Sequence, residues 1–349
     1  MKDFYGKDYK KMMIIPLIML LPMLFLIFVF PGVSPGTDLT GGNVIIVRSE
    51  SAITDIQIKD ALAEFSLPEL KVSTIASPTG FGAWISYSKD PKVTQVEDLL
   101  SKAETSIDTD ADSIAFSNQA LIVLGKPEQQ FANAKLAMIA AQDALAAYKE
   151  NFSQKLQDTL TTKLSLGENA EFQKREVSPT LGGATMQSSI FMVLLGFVLI
   201  TIIVFISFRQ FIPSVAIIQA MTFDVIAGVA GMAILNIPLS LTTLPALLML
   251  IGYSVDTDIM LTSRVLKGKD GTPASRASSS VLTGLTMSGT TIVALLAMLV
   301  ISYFYQIEVI YQISAILLFG LIGDVISTWL MNGPILLWFM EKKEKGEFK

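Results

Sequence analysis

SIFMVLLGFVLITIIVFISF, Ser189–Phe208, runs for twenty residues without a charge. Coiled as a helix at about 1.5 Å per residue, it covers about 30 Å, the thickness of a bilayer's hydrocarbon core. Five further blocks are predominantly apolar and about as long or longer: Met12–Phe30, Phe211–Leu235, Leu241–Leu266, Leu282–Ile301 and Val309–Met340. The pattern predicts a polytopic α-helical membrane protein with six transmembrane helices. The polar stretch 33–186, between the first and second blocks, is long enough for a domain of its own. Composition agrees, because 51% hydrophobic against 16% charged residues is too apolar for an ordinary soluble chain.

The block 12–32 is read as a retained helix, since its apolar core exceeds a signal peptide's and no small-residue cleavage pattern follows it. Basic residues fall on one side of the membrane that these spans define. Lys2, Lys7, Lys10 and Lys11 lie in 1–11, Arg209 joins the second span to the third, Lys267, Lys269 and Arg276 follow the fourth, and Lys342, Lys343, Lys345 and Lys349 lie in 341–349. The loops Asn236–Ser240 and Ser302–Glu308 contain neither lysine nor arginine. The positive-inside rule then places both termini in the cytoplasm, the five spans of 187–340 in the cell membrane, and 33–186 on the outer face.

There is no cysteine and no histidine. Disulfides, thiolate metal sites and histidine-dependent catalysis are thereby excluded, and neither a cofactor, a metal site nor an enzymatic activity is expected. A net charge of −5 with no basic stripe gives nucleic-acid binding no support.

Within 33–186, GTDLTGG (Gly36–Gly42) leads into a β-branched strand at Asn43–Arg48. An amphipathic helix at Thr54–Phe65, strands at Leu70–Ala76 and Phe81–Tyr87, helices near Thr94–Ser106 and Glu128–Leu164, and a strand within Ala170–Val177 follow. The order β-α-β-β-α-β describes an external α+β ferredoxin-like domain enlarged by a helical insertion before its last strand. The long helix carries Met138, Ala141, Leu145, Tyr148, Phe152, Leu156 and Leu160 on one stripe, which packing within the domain would bury.

Charged residues inside the spans are functional candidates by default, because burying them in hydrocarbon is costly. Asp224, Asp256 and Asp324 each have a glycine one turn away, at Gly228, Gly252 and Gly320. Small residues admit a neighbouring backbone, so these carboxylates are expected in a helix–helix seam. Asp258 lies about 200° around the helix from Asp256 and cannot share one narrow seam with it, and Asp256 is taken as the inward residue. Arg264 ends the same helix. Asp224, Asp256 and Arg264 are the ion-coupling candidates, with Asp258 and Asp324 secondary. The competing reading is structural, an aspartate hydrogen-bonded to serines and threonines that fixes packing.

These residues carry a resemblance. GTDLTGG resembles the GxDxxGG motif of the SecD/SecF family through Gly36, Asp38, Gly41 and Gly42, and VSPTLG (Val177–Gly182) resembles its VGPxxG motif through Pro179 and Gly182. AMTFDVIAGVAGM around Asp224, LIGYSVDTDIMLTSRVL and LTGLTMSGTTIVALLAML resemble the family's successive membrane signatures. The resemblance implies a resistance-nodulation-division protein that pairs, as the SecF-type half, with SecD into a twelve-helix unit in the lipid membrane. That unit works beside the SecY translocon on a translocating polypeptide and draws on a proton or sodium gradient. It also implies that Asp224 couples the ion and that Arg264 assists it.

Three departures mark the match. Phe223 stands where the family has histidine, Asp256-Thr257-Asp258 where many bacterial members have Asn-Asp-Thr, and Ser263 where an acid precedes the arginine. They shift the resemblance toward archaeal forms and leave the coupling ion open. Two other readings exist. A single-repeat exporter of lipid or small molecules lacks the usual second set of six helices, and an intramembrane aspartyl protease needs a Gly-x-Gly-Asp motif that Leu321-Ile322-Gly323-Asp324 lacks.

Overall fold

A computed structural model describes all residues except 1–3, 7, 37, 38, 40, 50, 51, 78, 79, 108, 167–169, 178, 306, 348 and 349. The chain divides into two compact units, Met1–Thr40 with Leu181–Lys349, and Gly41–Thr180.

The first span, α1, is Tyr9–Phe28. The second unit then runs β1 (Gly42–Ser49), α2 (Asp55–Leu62), β2 (Lys71–Ser77), β3 (Gly80–Tyr87), α3 (Pro91–Thr105), α4 (Asp110–Val123), α5 (Ala134–Lys163) and β4 (Glu171–Val177). The strands form one sheet in the order β2-β3-β1-β4, every neighbour antiparallel. Its period-two alternation turns Ile45, Val47, Ala83, Ile85 and Tyr87 onto one face, where Ile58, Ala61 and Leu62 of α2 and Leu156 and Leu160 of α5 cover them. A capping box between Thr54 and Gln57 starts α2.

The stripe on α5 is the one expected, but it serves two cores. Its later half lies on the sheet, while Ala141 and Leu145 pack with Val93 and Val96 of α3 and Ala120 and Leu121 of α4. Helix α4 was not expected. Its buried face carries Ser113, Ser117 and Asn118 beside Ala120 and Leu121, so no apolar period marks it. Asn118 instead clamps the following loop, donating to the Gln129 carbonyl at 3.0 Å and accepting from the Gln129 N–H at 3.2 Å.

In the first unit, six helices among the described residues are long and apolar enough to cross a membrane. After α1 come α6 (Pro179–Phe208), α7 (Phe211–Ile234), α8 (Thr243–Lys267) and α9 (Pro273–Phe304). The sixth span joins α10 (Glu308–Ser327), a π-helical turn Thr328–Asn332 and α11 (Gly333–Glu344). Helix α7 presents small residues to its neighbours. A Cβ at Gly228 would meet Leu250 of α8 and Ile316 of α10, and one at Gly231 would collide with Phe319. The start of α1 meets the end of α11 at one end of the bundle, where the Tyr9 hydroxyl donates to Glu341 at 2.8 Å and Lys10 pairs with the same carboxylate.

Candidate functional site

Three carboxyls are buried at the centre of the bundle: Asp224 on α7, Asp258 on α8 and Asp324 on α10. Each is held by neutral partners. Ser254 donates to one oxygen of Asp224 at 2.5 Å, and Ser327 to the other at 2.6 Å. Oδ1 of Asp258 accepts from the Thr328 hydroxyl at 2.9 Å and from the Asn332 amide at 2.7 Å. Asp324 faces Thr328 through Oδ1 at 3.1 Å and Ser288 of α9 through Oδ2 at 3.4 Å.

The π turn organises this cluster. Its wider winding brings Thr328 and Asn332 to the same carboxylate oxygen, and Ser327 immediately before it reaches Asp224. One short segment therefore touches all three aspartates. The Thr328 hydroxyl has a single proton to donate but lies against two carboxyls. The second contact becomes a hydrogen bond only when that carboxyl brings a proton of its own.

Of the five charged residues singled out from sequence, the structure brings together Asp224, Asp258 and Asp324. It does not bring Asp256 or Arg264 to them. Asp256 and Arg264 lie on the exposed face of α8 with Gly252 and Tyr253, and Arg264 donates to Thr283 of α9 at 3.1 Å. The expected order of Asp256 and Asp258 is thus reversed. The glycine one turn before Asp256 misled: a Cβ at Gly252 would touch nothing within 4 Å, whereas one at Gly320 would collide with Leu250. Sequence reasoning also missed Ser254, Ser288, Ser327, Thr328 and Asn332. Their signal was available, since Ser327, Thr328 and Asn332 follow Asp324 within an otherwise apolar run.

The glycines of the first motif have structural work. A Cβ at Gly36 would lie 3.0 Å from the Leu239 carbonyl, whose oxygen accepts the Gly36 N–H, and Gly41 and Gly42 take positive φ of 79° and 144°. Asp38 lies outside the described residues, and Pro179 and Gly182 fall at the start of α6, where side chains are not described.

The sheet unit has its own charge cluster. Glu97 of α3 accepts from Lys89 at 2.8 and 3.0 Å and from Lys149 of α5 at 2.9 Å, and Lys149 reaches Glu176 of β4 at 2.6 Å. Burial pushes the Glu97 carboxyl up, but hydrogen bonds from Lys89 and Lys149 outweigh it and hold the group below the usual carboxylate range. Burial pulls Lys149 down, and its bonds to Glu176 and Glu97 hold it above the usual amine range. The Tyr148 hydroxyl, pushed up to about 12 by burial and by Asp90, donates to that carboxylate at 2.7 Å. These contacts tie α3, α5 and β4 together.

Residues 156–342 match the family model described as protein export membrane protein SecD/SecF, C-terminal. The protein-export membrane protein SecF of Methanothermobacter thermautotrophicus is 43% identical over 169 residues, 48% of this chain and 59% of its own length. That of Thermococcus gammatolerans is 38% identical over 196 residues, 56% of this chain and 61% of its own. The chain thus spans about three fifths of the length of these curated relatives. A crystal structure of SecDF, a translocon-associated membrane protein, from Thermus thermophilus shares the fold, with a TM-score of 0.64 at 16% identity over 95% of this chain and 38% of that one.

Proposed function

The chain belongs to the SecD/SecF family of protein-export membrane proteins, on its SecF branch, and from that premise we propose that it is the SecF-type subunit of a SecD–SecF complex. The complex assists the Sec translocon, SecY, in exporting polypeptides across the cell membrane and is driven by a proton gradient. The single observation that carries the reading is the cluster of Asp224, Asp258 and Asp324, three buried carboxyls with one hydroxyl proton between two of them. Carboxyls at this depth in a bundle are the parts from which proton relays are built.

Two features support the rest of the reading. A carboxylate facing hydrocarbon is costly, so the exposed Asp256 face of α8, with Gly252 open beside it, suits close packing by a helix of SecD. Sheet order β2-β3-β1-β4 with helices after β1 and β3 suits a ferredoxin-like domain enlarged by α3, α4 and α5 before β4. The lysine and arginine distribution supports cytoplasmic termini and an outer position for this domain, where emerging chains arrive.

The test is export of a reporter protein in cells carrying Asp224→Asn, with membrane levels matched to the parent. Export as poor as in the deletion supports an ionisable group at Asp224; normal export makes Asp224 structural and removes the reading's chief support.

A further inference from the structure

The buried polar atoms of the membrane unit are unevenly paired. Eight buried side-chain atoms of this unit have no hydrogen-bond partner among the described residues, and four of them are Oδ2 of Asp258, the hydroxyl of Thr262, Oδ1 of Asn332 and the indole N–H of Trp329. All four belong to the last turns of α8 or to the π turn, on the side of Asp258 toward the chain termini. The opposite half of the seam is apolar, filled by Met232, Leu247, Leu250, Leu295, Ile316 and Leu317. Unpaired polar atoms cost free energy unless water reaches them, so hydration of the cluster is cheap from one end and costly from the other.

At that end the chain closes on itself. Tyr5 is buried among Leu261, Val265, Trp329 and Leu336, and its hydroxyl donates to the Trp329 carbonyl inside the π turn at 2.9 Å. Gly333 leaves the room, for a Cβ there would collide with the Tyr5 hydroxyl. Immediately outside lies a cavity of about 460 Å³ lined by Tyr5, Tyr9, Thr272, Ala274, Leu337 and Glu341.

From this juxtaposition we infer that the cavity is the port through which a small hydrated cation or hydronium ion exchanges between solvent and the aspartate cluster, with Tyr5 as its stopper. The inference rests on the ion-coupling reading above and adds the route. With Tyr5 seated, its ring lines the cavity on one side and its hydroxyl touches the π turn that carries Asn332 on the other. When it swings out, the Trp329 carbonyl loses its donor and the unpaired atoms gain water, so opening exchanges one protein hydrogen bond for several to solvent. Glu341, which holds Tyr9 and Lys10, keeps the segment bearing Tyr5 beside the mouth.

Because the chain has no cysteine, one introduced thiol reports access alone. Thr262→Cys places it one helical turn beyond Asp258, among the unpaired atoms, at a residue outside the carboxyl contacts. Membrane vesicles of defined orientation are treated with a small cationic, impermeant methanethiosulfonate, with Tyr5 intact or replaced. We expect labelling from the terminus side to be at least about tenfold faster with Tyr5→Ala, and about tenfold faster with Tyr5→Phe, which removes one buried hydrogen bond. Should Tyr5→Ala fail to reach the membrane, Tyr5→Phe decides. Ala246→Cys, in the apolar half, should stay unlabelled throughout. Unchanged labelling rates for the Thr262→Cys thiol, or labelling only from the opposite side, overturn the port. The assay needs no gradient and no export, so a normal Asp224→Asn phenotype would sink the coupling reading while leaving the labelling result standing.

Discussion

Leu250 of α8 is fully buried between two glycines of other helices, Gly228 on α7 and Gly320 on α10. A Cβ at Gly228 would come to 3.0 Å of its Cδ2, and one at Gly320 would collide with its branch atoms. Gly320→Ala must therefore push Leu250 or part the helices, an overpacking cost of about 1–3 kcal/mol. Leu250→Ala alone opens a cavity costing about 2–5 kcal/mol. Independent effects would sum to about 3–8 kcal/mol in the double mutant. The geometry says otherwise, because alanine at 250 removes the colliding atoms and the new methyl at 320 fills part of the space they left. The double mutant should be no less stable than Leu250→Ala, a coupling of about −1 to −3 kcal/mol. The assay is the apparent melting midpoint of the four proteins in one detergent, read as loss of the monodisperse peak on gel filtration. Additive midpoints would refute the wedge. Since Leu250 is one turn from Ser254, which holds Asp224, Gly320→Ala is also expected to impair export at normal membrane levels.

Further outcomes follow from the two polar clusters. Asp258→Asn should reduce reporter export as severely as Asp224→Asn with co-purification of a SecD partner unchanged, while Asp256→Asn should weaken that co-purification and lower export only in proportion; full loss of export from Asp256→Asn with the partner still bound would restore Asp256 to the seam. Asn332→Leu, which strips one donor from Asp258, should impair export without lowering membrane abundance, as immunoblots of the two fractions would show. Lys89→Met removes the buried partner of a half-buried Glu97, leaving it one lysine, and should cost the sheet unit about 1.5–3 kcal/mol, seen as a lower unfolding midpoint by circular dichroism. Because the Glu97 carboxyl is held below its usual range, its stabilisation is complete above about pH 4.3 and is lost as pH falls through the folded value. Lys149, held above its usual range, stabilises fully below about pH 10.4 and loses that contribution as pH rises through its folded value. A Glu97→Gln protein that softens in acid as steeply as its parent would contradict the first assignment.

The spans were legible because an uncharged apolar block about 20 residues long matches the bilayer and exceeds what the core of a soluble domain usually demands of one helix. The strands were legible because Asn43–Arg48 and Phe81–Tyr87 are β-branched or aromatic runs bounded by turns. Helix α4 was not, since serine and asparagine on its buried face erase the apolar period by which helices are recognised. At the site, the glycine argument located Asp224 and Asp324, whose glycines do meet Leu250. It failed at Asp256 because a glycine shows that a backbone could come close without showing that one does. Which of two aspartates two positions apart points inward depends on the rotation of α8, and that is set by packing along its whole length. The π turn left no trace in the sequence, because a widened helical turn is a property of the backbone's partners.

Helix α5 is about 45 Å long at the usual rise and is shared between the sheet and the α3–α4 hairpin. A rod common to two cores makes their fates common. Amide exchange in the middle of α5, around Tyr148, Lys149 and Phe152, should be as slow as in β1, and α3 and α4 should open together with the sheet. A pull at either end of such a strut is carried to the other as tension along the backbone, so the hairpin and the sheet would yield at one force.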